Sequence, residues 1–188
     1  MTQAEKLQTI AENELKVHEA GYKKGYADRS TTVDAILDKS ITSISSNTVT
    51  ILGYNALTSC ASLESVDFPN VTEVQDFAFT GCPALKSINL PNFRENSGEM
   101  SFAYCESLSS IDLPKLELLG YAAFEGCSNL TSVTIRTPSV CRGIGAMFDD
   151  TPIANYEGYI YVPADLVDSY KSATNWSKHA SQIRAIQE

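Results

Sequence analysis

The sequence predicts an α/β-type repeat solenoid: short parallel strands stacked coil on coil, an amphipathic helix before them and a strand-helix cap after them. Three observations carry that expectation. The decapeptide "CASLESVDFP" at Cys60 returns as "CPALKSINLP" at Cys82, "CESLSSIDLP" at Cys105 and "CSNLTSVTIR" at Cys127. The four cysteines are 22, 23 and 22 residues apart, and the apolar positions between them keep the same register. The last residues of each copy alternate apolar and polar, as a short strand with one buried face does. A fixed period of this length marks a unit that cannot bury its apolar face alone, so that neighbours must stack into one core.

The chain divides into residues 1–30, 31–158 and 159–188. In the first part, Thr2 and Glu5 have capping-box spacing, and Glu12 with Lys16 and Glu19 with Lys23 are favourable i,i+4 pairs. Ala4, Leu7, Ile10, Ala11, Val17 and Tyr22 gather on one side of a helical wheel, which predicts an amphipathic helix from residue 2 to about 27. A lone helix of that length is marginal in water, so this face either docks on the first coil or pairs with other copies. Leu7, Ile10, Val17 and Tyr22 are the expected assembly residues, and a homo-oligomer through them is the favoured use. Glu14 and His18 near the apolar face oppose a strict heptad seam.

In the coils, Leu63, Leu85, Leu108 and Leu130 form one column, Val66, Ile88, Ile111 and Val133 the next, and Phe68, Leu90, Leu113 and Ile135 a third. Pro69, Pro91 and Pro114 follow directly and end the strand by removing a backbone donor. The second half of each coil brings an aromatic column, Phe79, Phe102, Phe124 and Phe148. Upstream, "ITSISSNTVTILGYNALTSC" fits the same frame through Ile41, Ser43, Ile44 and Leu57, which makes about five coils with imperfect ends. Four of the five cysteines fall on the repeat itself. With no CxxC or Cys/His cluster, they are expected as buried, reduced thiols rather than disulfides or metal ligands.

The period and the leucine pattern are similar to those of leucine-rich repeats. More narrowly, C-x-x-L-x-S-[IV]-x-[LF]-P followed by an aliphatic stretch and A-F-x-x-C resembles the BspA-like subclass, over about residues 40–150. Two departures stand out. "NFRENSGEM" makes its coil one residue longer, which predicts a local bulge near Ser97 and Gly98, and Thr151 stands where a cysteine is due. Beyond the last coil, Tyr159 to Val162 reads as a strand, Leu166, Val167, Tyr170 and Ala173 have helical spacing, and Trp176 is expected to anchor the cap.

The formal net charge of -9 opposes binding to nucleic acid or anionic lipid, both of which need neutralising cations. No apolar run is long enough to span a membrane, so no membrane insertion is expected. No secretory signal opens the chain, which leaves a cytoplasmic location open beside a virion or cell surface. His18 and His179 lack metal-ligand spacing, and no GxSxG, HExxH or Walker-type loop is present; neither an enzyme nor a cofactor is expected.

What remains is a surface. Period-2 alternation points Glu64, Lys86, Ser109 and Thr131 outward in one column and Asp67, Asn89, Asp112 and Thr134 in another. Because these positions vary from coil to coil, they are the expected contacts for a protein or surface-glycan ligand. A serine column (Ser43, Ser65, Ser87, Ser110, Ser132) lies between them and reads as a ladder that serves stacking. The BspA-like resemblance implies protein or surface-ligand recognition, often adhesion. The opening string "AEKLQTIAENELKVHEAGYKKGY" resembles the starts of structural proteins encoded in phages and prophages of Gram-positive bacteria. The expected function is therefore a binding or structural protein, first a virion-associated component, with a bacterial cell-surface adhesin or interaction module as the alternative.

Overall fold

Each coil folds into two short strands joined by a turn, which carries proline in every coil but the first, because its alternating segment and its second segment each need a buried side. In the computed structural model, which describes residues 41–187, the alternating segments are β1 (Ser43–Ser45), β3 (Ser65–Asp67), β5 (Ser87–Asn89), β7 (Ser110–Leu113) and β9 (Ser132–Ile135). The second segments are β2 (Ile51–Leu52), β4 (Glu73–Val74), β6 (Glu95–Asn96), β8 (Leu118–Leu119) and β10 (Arg142–Gly143). After the coils come β11 (Tyr159–Val162), α1 (Val167–Ser172) and β12 (Ile183–Ala185). The helix predicted over residues 2 to 27, with Leu7, Ile10, Val17 and Tyr22, lies outside the described residues.

All pairings are parallel and join like to like. Ser43 faces Ser65, and Ser65 faces Ser87; Ile44, Val66 and Ile88 line up beside them. Ser110, Ile111, Asp112 and Leu113 pair with Ser132, Val133, Thr134 and Ile135. β11 then adds to β9 and β12 to β11, so the sheet runs past the last cysteine-bearing coil. The second segments form their own five-stranded sheet in the order β10-β8-β6-β4-β2.

Between the sheets the columns become stacks. The leucine column is buried throughout, and Phe79, Phe102, Phe124 and Phe148 lie ring over ring at 5.3, 5.2 and 5.9 Å. Offset stacking of this kind adds about 0.5–1.5 kcal/mol per pair beyond the area buried. All five cysteines are buried, and none is joined in a disulfide. In the column, Cys82, Cys105 and Cys127 donate S–H to the carbonyls of Leu57 (3.1 Å), Phe79 (3.4 Å) and Phe102 (3.1 Å) of the preceding coil. A hydrogen bond with Cys60, and then burial, push the Cys82 thiol far above its usual range; a bond with Cys127, and then burial, do the same to Cys105. Burial pushes Cys141, which stands off the column, up to about 12. Thiols held this way are protonated core atoms, not nucleophiles.

Two corners of each coil use left-handed backbone. One column is Asn55, Phe77, Met100, Ala122 and Ala146, with φ of 50–62°; the other is Ser59, Gly81, Tyr104, Gly126 and Asp150, with φ of 57–71°. Only two of these ten are glycine, so most corners hold a conformation that costs an L-residue about 1–2 kcal/mol.

The longer coil accommodates its extra residue at Ser97–Glu99 by changing its chemistry. A Cβ on Gly98 would sit 2.1 Å from the Asp76 backbone nitrogen, so the chain passes there only as glycine. Asn96 takes the aliphatic place of Val74 and Leu119, and Ser101 the place of Ala78 and Ala123. The Asn96 amide donates to Val74 O (3.2 Å) and Ser101 Oγ (2.5 Å), while its Oδ1 accepts from the Gly120 N–H at 3.1 Å. Ser101 Oγ donates to Gln75 O at 2.9 Å. Backbone groups that the bulge would leave without partners are thus paired by two buried polar side chains.

At the C-terminal end, Trp176 is fully buried, as its expected role as an anchor requires. Its Nε1 donates to Cys141 O at 2.7 Å, and the Cys141 N–H donates to Tyr170 Oη at 2.8 Å. Trp176 and His179 both pack on Phe148, at 6.1 and 5.3 Å, and so close the phenylalanine stack. Buried Thr151 replaces the missing cysteine and donates its hydroxyl to Phe148 O at 2.6 Å.

Candidate functional site

The outward face of the first-segment sheet gathers the residues singled out in the sequence. Glu64, Asp67, Lys86, Asn89, Ser109, Asp112 and Thr131 are exposed and Thr134 is half-buried, all pointing away from the core. The strand register puts residues of neighbouring coils side by side, and this decides what they touch. Lys86 Nζ lies 3.1 Å from Glu64 Oε2, and Asn89 Nδ2 donates to Asp67 Oδ1 at 2.7 Å. Arg136 grips Asp112 with Nε 3.1 and 2.9 Å from its two carboxylate oxygens and Nη2 2.9 Å from Oδ2. The three carboxylates on this face are therefore occupied by partners on the same face. Exposed pairs of this kind contribute about 0–1 kcal/mol each, so their effect is on the charge presented rather than on stability.

Ser109, Ser110, Thr131, Ser132 and Thr134 cover the next stretch and carry no charge. Thr131 Oγ1 donates to Ser109 O at 3.3 Å, the hydroxyl following the ladder. The serine column keeps its register from Ser43 to Ser87 in the three-stranded sheet β1-β3-β5 and from Ser110 to Ser132 in the four-stranded sheet β7-β9-β11-β12, half-buried or exposed at every level.

Beyond them the two columns end in residues the sequence reading had left to the cap. Tyr159 pairs with Ser132 and so ends the serine column; Tyr161 pairs with Thr134 and, on its other side, with Arg184. The tyrosine rings lie 6.2 Å apart, and the Arg184 guanidinium rests 4.9 Å from the centre of the Tyr159 ring. Tyr156, on the turn leading into β11, is 71% exposed, the most of any large apolar side chain described. The signal was present: "YIYV" and "IRA" alternate with the period of the coils, but neither carries the cysteine or leucine that marks a repeat.

Among the described residues no group of three or more His, Cys, Asp and Glu could hold a metal ion. The acidic side chains found on the face are tied to neighbours, not paired with one another across a gap. The arrangement offers a contact surface of hydroxyls, tyrosines, two ion pairs and a carboxylate held by an amide.

Stacked coils with one strand each on a shared face and a leucine column beneath define a leucine-rich-repeat solenoid. The chain belongs to the BspA-type leucine-rich repeat family: the family's profile, the BspA type leucine rich repeat region, matches residues 34–148 in 6 copies. That is one copy more than the five coils counted from the cysteine period. Solved structures with the same fold include a leucine-rich repeat protein of T. pallidum, with 26% identity, a TM-score of 0.56 and 66% of this chain covered against 59% of that one. A leucine rich cell surface protein of Faecalibacterium prausnitzii A2-165 matches with 28% identity and a TM-score of 0.53, over 65% of this chain and 31% of the other. A leucine-rich repeat protein of Bacteroides ovatus, 22% identical, shares the fold with a TM-score of 0.52, over 78% of this chain and 43% of that one. The chain thus spans less than two thirds of each of these proteins. No curated protein matches it. Modules of this family and fold are typically non-enzymatic and mediate interactions. No helix of the described residues is long and apolar enough to cross a membrane.

Proposed function

We propose that this chain is a non-enzymatic recognition module displayed on a bacterial surface, which binds a partner protein through the outward face of its strand ladder. One observation carries the reading: the residues that differ between coils project outward from parallel strands paired in register within two sheets, while those that repeat make the core. A solenoid built this way presents an extended face whose contacts can change without changing the fold. Glu64, Asp67, Lys86, Asn89, Ser109, Asp112, Thr131 and Thr134 are the contact positions of this reading. Surface display draws support from the F. prausnitzii neighbour, described as a cell surface protein. The virion-associated reading rests on the opening string alone and takes second place.

Exposure on intact cells tests the placement. Protease treatment of cells carrying the native gene should remove the chain while a cytoplasmic marker survives; survival of both would overturn surface display, and co-purification with particles would restore the virion reading. Assembly through Leu7, Ile10, Val17 and Tyr22 is a separate proposal. Light scattering on the full chain and on one lacking residues 1–28 should give an oligomer and a monomer; monomers in both would reject it.

A further inference from the structure

The ladder face is not uniform, and its two halves differ in what is left for a partner. In the N-terminal coils Glu64 and Asp67 have met Lys86 and Asn89, and on β7 Asp112 has met Arg136, which follows β9; a partner would have to displace those contacts. At the C-terminal end the serine column terminates in Tyr159 and the column of Asp112 and Thr134 in Tyr161 and Arg184, while Tyr156, three residues before Tyr159 on the turn, is largely exposed. Arg184 is exposed and, among the described residues, no carboxylate lies within ion-pair distance of it. It rests on the Tyr159 ring and gives Nη1 to Ile183 O at 2.9 Å, which leaves further guanidinium N–H groups pointing to solvent and holds the side chain in one place.

An exposed and a half-buried tyrosine, Tyr159 and Tyr161, beside an arginine and set among hydroxyls match the composition of interface hot spots. Tyrosine brings large contact area at low cost in side-chain entropy, and arginine on an aromatic face keeps its fork free for a carboxylate. An arginine prepared in this way loses less freedom when it binds than a mobile one does. The chain's net charge of -9 does not oppose an acidic partner here, because at physiological ionic strength charges beyond about 8 Å are screened and the nearest cation decides.

We infer that the energetic centre of the binding face is the Tyr156, Tyr159, Tyr161 and Arg184 cluster, and that its partner is a protein segment bearing an Asp or Glu flanked by apolar or aromatic residues. The proposal rests on the reading of the ladder face as a binding surface. It shifts the main contribution away from the acidic positions that vary between coils.

A display library of random dodecapeptides, selected against the full chain at physiological salt, tests it. Enriched peptides should share an acidic residue beside an apolar one. Their binding should fall by about tenfold or more on Arg184→Gln or on Tyr159→Ser with Tyr161→Ser, and stay within about twofold on Glu64→Ala with Lys86→Ala. Each variant is first checked for an unchanged unfolding midpoint; should the tyrosine pair lower it, Arg184→Lys, which keeps the charge and loses the fork, carries the test. Peptides sensitive to Glu64 and Lys86 but not to the cluster would overturn this inference and leave the face as a binding surface. No enrichment, together with binding of an acidic oligosaccharide panel, would overturn the protein partner itself.

Discussion

Between Cys60 and Cys127 a buried group finds its partner in the same kind of group one coil away, whereas beyond Phe148 it finds a residue that occurs once. In the middle, phenylalanine stacks on phenylalanine and each thiol meets the next carbonyl along the column. At the end, Trp176 closes the ring stack, Thr151 stands in for cysteine, Tyr170 and Trp176 hold the two polar atoms of Cys141, and Asn175 donates to Gly143 O at 2.9 Å. Repetition supplies the interior with partners automatically. A terminus needs residues chosen one at a time, and the coil with the extra residue shows the same rule inside the stack through Asn96 and Ser101.

The sharpest way to break this comparison is to remove one large side chain from each region. Phe102→Ala and Trp176→Ala should each cost about 3–5 kcal/mol in denaturant unfolding. They should differ in reach. Hydrogen exchange should show Phe102→Ala loosening coils on both sides, while Trp176→Ala frees β11 and β12 and leaves β3 and β5 protected; uniform loss of protection in the tryptophan variant would mean that the end is not a separate layer.

Glycine gives a second contrast, within one column. A Cβ on Gly120 would fall 2.0 Å from Gly98 O, while one on Gly53 would have 3.8 Å to its nearest neighbour, Gln75 Oε1. Gly120→Ala should lower stability by about 3 kcal/mol through overpacking, and Gly53→Ala should stay within about 0.5 kcal/mol. Restoring the ordinary residues, Asn96→Leu with Ser101→Ala, should cost about 2–3 kcal/mol despite the added apolar volume, because Gly120 N–H, Val74 O and Gln75 O lose their side-chain partners. A gain in midpoint would show that the polar pair is dispensable.

Acid should act on the end alone. Burial, with Lys178 adding to it and Asp149 opposing it, holds the His179 imidazole down at about 4 against its ordinary 6.5, and its Nε2 has no hydrogen-bond partner. Between those values the unfolded chain binds more protons than the folded one. The stabilising effect of neutral His179 is therefore complete above about pH 6.5 and is lost as the pH falls toward 4, by about 1–2 kcal/mol once solvent screening is allowed for. Unfolding midpoints at pH 7 and pH 4.5 should differ less in His179→Phe than in the parent chain. The smallest effect belongs to the surface: Lys86→Ala or Glu64→Ala should shift stability by no more than about 1 kcal/mol.

The same contrast explains what could be read in advance. Leu63, Val66, Phe79 and their counterparts announce the core because each is written several times over, and Trp176 announces the cap by its size. Period-2 alternation gave the outward direction of Glu64 and Lys86, yet their contact depends on register between residues one coil apart. Asn96 looked like a flaw in an apolar column, since the groups it serves, on Val74 and Gly120, belong to the two neighbouring coils. Arg184 was the least legible: it joins Tyr161 through a strand separated from β11 by a helix and two turns, and nothing in its own neighbourhood repeats.

β12 is the last strand of the described residues, and Ile160 and Val162 bond to Gln182 and Ile186 on either side of it, so the carbonyls of Ile183 and Ala185 face away from the sheet. Each has a donor from its own chain, Arg184 Nη1 at 2.9 Å and Gln187 Nε2 at 3.3 Å. An uncovered parallel edge is a template on which another chain can crystallise strand by strand into a fibre. Here both of those acceptors are already engaged, so a second strand would have to displace Arg184 and Gln187 before it could pair along this edge.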